Sequence, residues 1–162
     1  MRTGIRCIEA SRLRVCDIVR KGDRYILSLR RKGDEARIEK MGYPEEAVGP
    51  LIEYLSFCGV SDANEPAFAN HVGGRFYPMR AQWISSRVNA WMKKAGVYSL
   101  EKTAHSLRHT AAVLAHLNCA GTKDIQMMLG HGSLATTQRY LDSIDDTIKM
   151  DNPALKILNS LF

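Results

Sequence analysis

The spacing of apolar and polar residues changes several times along this chain. Near the N-terminus, the apolar positions recur at helical intervals and predict a short amphipathic helix over Gly4–Leu13. Three runs of β-prone residues come next, at Asp17–Val19, Arg24–Arg30 and Ala36–Met41. Lys-Gly-Asp sequences separate these runs, and such sequences are typical of tight turns. The pattern therefore predicts a helix followed by a three-stranded antiparallel meander.

Helical periodicity dominates the rest of the chain. It predicts five further helices, at Pro50–Cys58, Arg80–Ala95, Ser106–Asn118, Lys123–Leu129 and from Leu134 to about Ser143. Proline suits a first helical turn, and glycine directly follows three of the predicted ends. In the second of these helices the two tryptophan-bearing turns are core candidates, with Trp91 on the apolar stripe. The elements predict one α+β domain over residues 1–162, mainly helical with a small three-stranded antiparallel sheet.

The composition narrows the class of protein. The 162 residues are 45% apolar, which is enough for a core, yet no run approaches the roughly 20 apolar residues of a membrane helix. We therefore expect a soluble, cytoplasmic protein. The formal charge of +6 favours a polyanionic partner such as nucleic acid, although a merely solvated basic surface explains it equally well.

The cysteines and histidines do not indicate a metal site. The four cysteines lie far apart in the sequence, so we expect free and mostly buried thiols rather than zinc ligands or disulfides. His105 and His109 are four residues apart and share a helix face if that segment is helical. His71 and His116 are expected to be structural or exposed. We expect neither metal nor cofactor.

The most informative residues form an ordered set of short motifs. A His-Ser-Leu-Arg-His sequence runs from His105 to His109, Leu-Gly-His ends at His131, and Tyr140 follows nine residues later. Upstream, residues 3–9 read Thr-Gly-Ile-Arg-Cys-Ile-Glu, and residues 31–34 read Arg-Lys-Gly-Asp. In order and spacing these motifs resemble those of the tyrosine recombinases, the family of phage integrases and Xer recombinases. The resemblance covers the chain from Thr3 to about Ser143 and implies the DNA breaking-rejoining fold.

The resemblance also implies a chemistry. Attack on a DNA phosphodiester adds negative charge to the phosphate oxygens, and the family clamps that phosphate with two arginines, here Arg6 and Arg108. A guanidinium presents paired N–H donors that lysine cannot reproduce. Tyr140 is the implied nucleophile, which forms a 3′-phosphotyrosyl ester that a 5′ hydroxyl can later reseal without ATP or metal.

Other residues are assigned supporting roles by the same resemblance. His105 is the implied acid/base group, His131 a hydrogen-bond donor to the phosphate, and Lys32 the general acid that protonates the leaving 5′ oxygen. Lys40 is an alternative to Lys32, since a Lys-Gly-Asp turn also suits any solvated hairpin. Glu9 is expected to orient neighbouring groups by hydrogen bonds. For His109 a structural hydrogen-bonding role and a catalytic role both remain open.

The implied partner is double-stranded DNA, bound by a homotetramer that is monomeric when DNA is absent. Any one basic residue at a protein surface is more often a solvated charge than a DNA contact. The candidate DNA contacts lie in and around the helix predicted at residues 80–95: Arg75, Arg80, Gln82, Arg87, Lys93, Lys94 and Lys102. The apolar tail Asn152–Phe162 is expected to dock on a neighbouring protomer; packing on its own domain is the alternative.

Two departures from the family pattern are visible. The core-binding domain and the helices that usually precede the first arginine motif are not in this sequence, so we expect a catalytic domain truncated at its N-terminus. Ala104 stands where the family often has proline, and Asp34 and Glu35 make the lysine turn acidic. Two rival functions remain open: a type IB topoisomerase-like enzyme, and a non-catalytic DNA-binding relic of the recombinase fold.

Overall fold

The computed structural model describes residues 3–31, 33, 36–100 and 102–150, with side chains at all of these except 140, 143 and 145–150. The chain forms two compact units, Met1–Ala111 and Ala112–Phe162. Among the described residues, the elements are α1 (Cys7–Ser11), β1 (Ile18–Lys21), β2 (Arg24–Arg30), β3 (Ile38–Pro44), α2 (Glu45–Phe57), β4 (Ala69–Val72), β5 (Arg75–Pro78), α3 (Ala81–Lys94), α4 (Ala104–Leu117), α5 (Thr122–Leu129) and α6 (Leu134–Met150).

The first unit is built on the predicted three-stranded sheet. Strands β1, β2 and β3 pair antiparallel in that order, with Tyr25 opposite Tyr43 and Leu29 opposite Glu39. Because successive side chains of a strand face opposite sides, one face of β2 presents Tyr25, Leu27 and Leu29, all buried. These residues pack with Leu13, Val48 and Ala67 in the core of the unit. Helix α2 lies against β2 and β3, and α1 packs against α3.

The predicted boundaries of the first elements shift by a few residues. Helix α1 occupies only Cys7–Ser11 of the predicted Gly4–Leu13. Gly4 has a left-handed φ of 61°, and Arg6 is extended with φ of −78° and ψ of 150°, so a right-handed helix begins only after Arg6. Strand β3 begins two residues later than predicted and runs to Pro44. Strand β2 has the predicted bounds.

The prediction that a helix begins at Pro50 is wrong. Helix α2 begins at Glu45, five residues earlier, and holds Pro50 inside it. Pro44 occupies the N-cap position with an extended backbone, and Glu45 and Glu46 place negative charge in the first turn, where the helix dipole favours it. Burial of Val48, which is 2% exposed, holds this extra segment against the sheet.

A second hairpin, β4–β5, lies between the helices predicted at Pro50–Cys58 and Arg80–Ala95, where the sequence analysis predicted no strand. Its two-residue turn is Gly73-Gly74, with φ of 56° and 77°. A two-residue hairpin loop with positive φ at both positions matches the right-handed twist of the strands, and glycine adopts it without strain. The Gly-Gly pair was the available sequence signal.

Helix α3 has nearly the predicted bounds, but its tryptophans are not in the core. Trp83 is 57% exposed and Trp91 67%, whereas Met92, one position further on, is 6% exposed. The buried stripe of α3 therefore runs through Met92 with the partly buried Ile84 and Val88. Helical spacing places several apolar residues near one face, and only the packing against α1 selects which of them are buried.

The second unit is a small helical cluster. Ala112, Ile125, Leu129, Leu141 and Ile144 form its core, and α5 packs against α6. Gly130 ends α5 with a left-handed φ of 55°, as its position after the predicted helix indicates. Helix α6 continues to Met150, seven residues beyond the predicted end at Ser143.

The cysteines are free, as predicted, but they are less buried than expected. Cys7 and Cys58 are partly buried, while Cys16 and Cys119 are exposed, so the prediction of mostly buried thiols is wrong. In the described part of the chain, no helix combines the length and the apolar character needed to cross a bilayer.

Candidate functional site

Glu9 is the centre of the polar cluster in the first unit. Its side chain is fully buried, and its Oε2 accepts the backbone N–H of Arg6 at 2.8 Å, which caps the start of α1. Its Oε1 accepts the Arg6 guanidinium at 2.9 Å and the Arg31 guanidinium at 3.1 Å. The carboxylate therefore orients two arginines that are 25 residues apart in the sequence.

Arg108 joins this cluster from α4. Its guanidinium donates to the backbone carbonyl of Gly4 and lies 4.0 Å from Glu9 Oε2. Gly4 precedes α1 in the left-handed conformation, which L side chains rarely adopt, and this turn presents its carbonyl to Arg108. The structure thus brings Arg6 and Arg108, which are 102 positions apart in the sequence, to one carboxylate.

Arg31 is a buried member of the cluster, and the sequence interpretation assigned it no role although it opens the Arg-Lys-Gly-Asp motif. It follows β2 directly and continues the inward-facing series of that strand. Its Nε donates to Glu39 at 2.6 Å, and Nη2 lies 3.1 Å from the sulfur of Met41. Both acceptors stand on β3, where partly buried and exposed positions alternate. A charged residue at an inward position of an alternating strand was the sequence signal for such a network.

The electrostatics of the cluster favour an added anion. Burial lowers the pKa of Arg108 to about 10, and the positive charge of Arg6 adds to this, while Glu9 opposes it. Burial and the neighbouring positive charge therefore both destabilise the charged form of Arg108. Burial alone would raise the pKa of Glu9, but hydrogen bonds from Arg6 and the charge of Arg31 lower it below its ordinary value. The carboxylate is thus ionised at neutral pH.

Tyr43 borders the same cluster but is not suited to act as a nucleophile. Burial raises the pKa of its phenol to about 12. Its hydroxyl lies 3.8 Å from the sulfur of Met41. The phenol stays neutral near the charged groups and supplies packing beside Arg31 and Arg108.

A cavity of about 250 Å³ opens beside the two arginines. Arg6 and Arg108 line it together with the backbone at Gly4, and apolar side chains from α3 and α4 close another part of its wall: Ile84, Val88 and Leu107. Charges interact more strongly in a partly enclosed space than in open water. The two guanidinium groups should therefore attract an anion strongly in this cavity.

The two histidines of the His-Ser-Leu-Arg-His motif lie on the first turns of α4, on either side of the buried Arg108. His105 and His109 are both exposed, and burial together with the charge of His105 lowers the pKa of His109. They are thus close enough to interact, as their spacing of four residues predicts.

In the second unit, His131 follows the glycine that ends α5. Its Nδ1 lies 2.9 Å from Oγ1 of Thr137, which is fully buried on α6. Gln126 donates from its side chain to the carbonyl of His131 at 3.0 Å. The imidazole is therefore held by a specific partner, and Thr137 is a second residue that the sequence interpretation missed. The backbone of Tyr140 lies three positions further along α6, within the helix.

Comparison with known proteins identifies the family. The sequence profile of the phage integrase family matches residues 1–146, which is nine-tenths of the chain. This chain belongs to the phage integrase family. It is 30% identical over 157 residues to tyrosine recombinase XerH of Campylobacter jejuni, covering 97% of this chain and 43% of that protein. It is 33% identical over 138 residues to tyrosine recombinase XerC of Pelobacter propionicus, covering 85% and 43%.

Solved structures show the same fold. The XerA recombinase superposes with a TM-score of 0.69 at 28% identity, covering 93% of this chain and 54% of that one. The XerH site-specific recombinase in a post-cleavage complex with palindromic difH substrate gives a TM-score of 0.71 at 24% identity, covering 98% and 42%. This integrase-family chain spans less than half the length of the curated relatives named above. The predicted α+β recombinase fold is confirmed.

The remaining predicted positions differ in what the structure describes. Lys32 and the tail Asn152–Phe162 lie outside the described residues, and the side chain of Tyr140 is not described. Lys40, the alternative to Lys32, is exposed on β3 and alternates with the partly buried Glu39 and Met41, so it faces away from the Glu9 cluster.

The predicted DNA-contacting residues are all exposed in this integrase-family chain. They lie on β5, at the start and outer side of α3, and after α3: Arg75, Arg80, Gln82, Arg87, Lys93, Lys94 and Lys102. Lys94 lies 5.0 Å from the centre of the Trp91 ring and Lys93 lies 4.7 Å from that of Tyr98. The exposed tryptophan that the core prediction misplaced thus belongs to a basic, aromatic surface.

Proposed function

We propose that this chain is the catalytic region of a tyrosine-type site-specific DNA recombinase, which cleaves and rejoins DNA strands through Tyr140. The observation that carries the proposal is the meeting of Arg6 and Arg108 at the buried Glu9 beside a cavity. Family membership over residues 1–146 supports it, since that range includes every motif of the resemblance.

The arginine pair is suited to the scissile phosphate. The guanidinium groups of Arg6 and Arg108 carry one more positive charge than the carboxylate of Glu9 balances. Arg31 and Glu39 carry opposite charges and so leave this excess unchanged. Burial, and after it the charge of Arg6, lowers the pKa of Arg108, and a phosphodiester that enters supplies negative charge that offsets both effects. As the pentavalent transition state gains negative charge, this fixed positive charge stabilises it further.

The cleavage step transfers a phosphoryl group between two oxygens. The Tyr140 oxygen attacks phosphorus, its phenolic proton passes to an acceptor for which His105 is our candidate, and the bond from phosphorus to the 5′ oxygen breaks. Lys32 donates a proton to the departing 5′ oxygen, and His131 donates a hydrogen bond to a phosphate oxygen. Reversing these steps with a 5′ hydroxyl from a second strand completes the exchange, with no net redox change.

Double-stranded DNA is the proposed partner. The relatives support this, because XerH was crystallised with its difH substrate. On this chain, the exposed basic residues along α3 would contact the phosphate backbone. We also propose assembly as a homotetramer on DNA, with the tail Asn152–Phe162 docking in trans. Deleting the tail is then expected to abolish the higher-order complex in native gels, and unchanged assembly would refute the docking.

The test of catalysis is covalent trapping. The protein is incubated with a pool of duplexes of randomised sequence, each with a nick just 3′ of a candidate scissile phosphate, so that the short cleaved fragment diffuses away. A DNA adduct that resists denaturation is expected for the unchanged chain and should be lost in Tyr140→Phe, which keeps the ring and removes only the attacking oxygen. Absence of an adduct from every duplex in the pool would refute the proposed function.

A further inference from the structure

A second cleft of the first unit lies at the end of α1. Its volume is about 470 Å³, within the range of roughly 300–1,000 Å³ that small-ligand sites have. Three arginines, one asparagine and two prolines are among the residues that line it: Arg12, Arg14, Arg30, Asn64, Pro66 and Pro78. None of these residues lines the cavity beside Arg6 and Arg108. We call this second space the Arg30 cleft.

Arg30 and its neighbour Arg31 belong to different ion-pair networks. Arg31 continues the inward-facing series of β2 and bonds Glu9, whereas Arg30 bonds Asp17. Because successive side chains of an extended chain face opposite sides, the two arginines point apart. Arg30 is thus directed away from the Glu9 cluster and lines a space of its own.

The guanidinium of Arg30 is held along one edge and open along another. Its Nη1 donates to Oδ2 of Asp17 at 2.6 Å and to the carbonyl of Arg12 at 3.3 Å, and its Nη2 donates to Oδ1 of Asp17 at 3.2 Å. The N–H of Nε and the second N–H of Nη2 bond no acceptor in the part of the chain that the structure describes. These two groups are parallel, and 27% of the side chain is exposed. They form the paired donor edge that matches two oxygens of a phosphate.

Asp17 orients Arg30 from outside the cleft. The carboxylate is buried, does not line the cleft, and also accepts the backbone N–H of Arg14 at 3.0 Å. Hydrogen bonds to Asp17 raise the pKa of Arg30, so the guanidinium keeps its charge. A donor that is already oriented loses less conformational freedom when it binds a ligand.

Arg14 lies on another wall of the cleft. It forms an antiparallel bridge with Pro66, and the next residue, Ala67, donates its backbone N–H to the carbonyl of Leu13 at 2.8 Å. The loop that carries Asn64 and Pro66 is therefore fixed against the segment that carries Arg14. The Arg14 side chain is exposed, and no acidic residue is among the described residues that line the cleft.

We infer that the Arg30 cleft is a binding site for a phosphate group carried by a nucleotide, either free or in a nucleic-acid backbone. The open edge of Arg30 binds two phosphate oxygens, Arg14 adds a second positive charge, and the Asn64 amide can donate a further hydrogen bond. Pro66 and Pro78 provide an apolar wall for the sugar or base. The inference goes beyond the proposed function, because none of these residues belongs to a motif of the recombinase resemblance.

Site-resolved NMR tests the inference, since the Nε–H resonance of an arginine reports on a ligand at that side chain. The probe is thymidine 5′-monophosphate, and thymidine, which lacks the phosphate, is its matched control. The Arg30 resonance is identified by its loss in Arg30→Lys, and the Arg14 resonance by its loss in Arg14→Gln. We expect the nucleotide to shift both resonances in a saturable way and thymidine to shift neither. Nucleotide bound at Arg6 and Arg108 is recognised by their own resonances.

The variants separate this site from general attraction to a basic protein. Arg14→Gln should raise the dissociation constant read at Arg30 about threefold to fivefold, because one exposed charge is lost. Arg30→Lys should raise the constant read at Arg14 about tenfold, because lysine cannot offer the paired edge. Arg24→Gln removes an exposed charge from the same strand outside the cleft and should change the constant by less than about 1.5-fold.

These variants are expected to fold. Arg30→Lys keeps a cation beside Asp17, and Arg14→Gln changes an exposed side chain without removing its backbone bond to Asp17. Circular dichroism of each variant is compared with that of the unchanged chain before binding is measured.

A DNA duplex distinguishes the two sources of the phosphate. A saturating duplex that shifts the Arg30 resonance and removes its response to the nucleotide identifies a nucleic-acid backbone as the ligand. A response to the nucleotide that persists beside the bound duplex identifies a free nucleotide. Either result supports the site.

Three results overturn the inference. In the first, the Arg30 resonance shifts with neither the nucleotide nor the duplex. In the second, thymidine shifts it as much as the nucleotide does, and in the third, Arg14→Gln changes the dissociation constant no more than Arg24→Gln. Adduct formation on nicked duplexes is a separate measurement, so its absence refutes the proposed function and leaves the cleft to be judged by NMR.

Discussion

Glu9 gives the sharpest prediction, because one buried carboxylate holds the whole cluster. Glu9→Gln keeps the shape of the side chain and removes its charge, so Arg6, Arg31 and Arg108 lose their shared anionic neighbour, while Arg31 keeps its bond to Glu39. Removing one partner from a buried ion pair typically costs about 3–5 kcal/mol, since the remaining charge stays desolvated. In a chain of this length, about 2–4 °C of melting temperature corresponds to each kcal/mol, so a loss of roughly 6–20 °C is expected.

The dependence on pH separates charge from packing. The folded-state pKa of Glu9 is lowered, so its contribution is fully present above the unfolded-state pKa and is lost as pH falls through the folded-state value. The difference in unfolding free energy between the unchanged chain and Glu9→Gln should therefore be largest near neutral pH. It should shrink as pH falls below about 4.3, the ordinary pKa of glutamate.

The assay is urea unfolding followed by circular dichroism at several pH values. Glu53→Gln on the exposed side of α2 is the matched control and should change stability by less than about 0.5 kcal/mol. A Glu9→Gln difference that stays constant between neutral and acidic pH would show that shape, and not charge, is what Glu9 contributes. A difference below about 1 kcal/mol at neutral pH would refute the reasoning about buried ion pairs.

Two further predictions concern adduct formation on the nicked duplexes. Thr137→Val should lower the rate about tenfold and shift the ¹⁵N resonance of His131 Nδ1, because the hydroxyl at 2.9 Å is lost. Thr137→Ser keeps the hydroxyl and should keep both the rate and the resonance of the unchanged chain. Equal rates for the two variants would contradict this prediction. Arg108→Lys should lower the rate roughly 10²- to 10³-fold with little change in overall DNA binding by gel shift, because lysine cannot give paired N–H donors to the transition state, and a near-normal rate would count against a phosphate clamp.

Much of the fold followed from local patterns. The alternation of β2 and the helical periods of α3, α4 and α5 depend on residues close in sequence, and the predicted elements lie where the structure has them. The wrong predictions concern features that depend on which side chains pack against other elements. Pro50 sits inside α2 because Val48 is buried against the sheet, and Trp91 is exposed because Met92 occupies the buried position on α3.

The sequence alone determined which chemical groups are present and in what order, because motifs with fixed spacing record the groups a phosphate reaction requires. It could not show that Glu9, which bonds Arg6, also bonds Arg31 22 positions away, or that Arg108 meets the Gly4 carbonyl 104 positions away. Only the tertiary structure decides such contacts, because burial fixes which long side chains must find partners inside the protein. That is why the contacts of Arg31 and Thr137 emerged from the structure and not from the motifs.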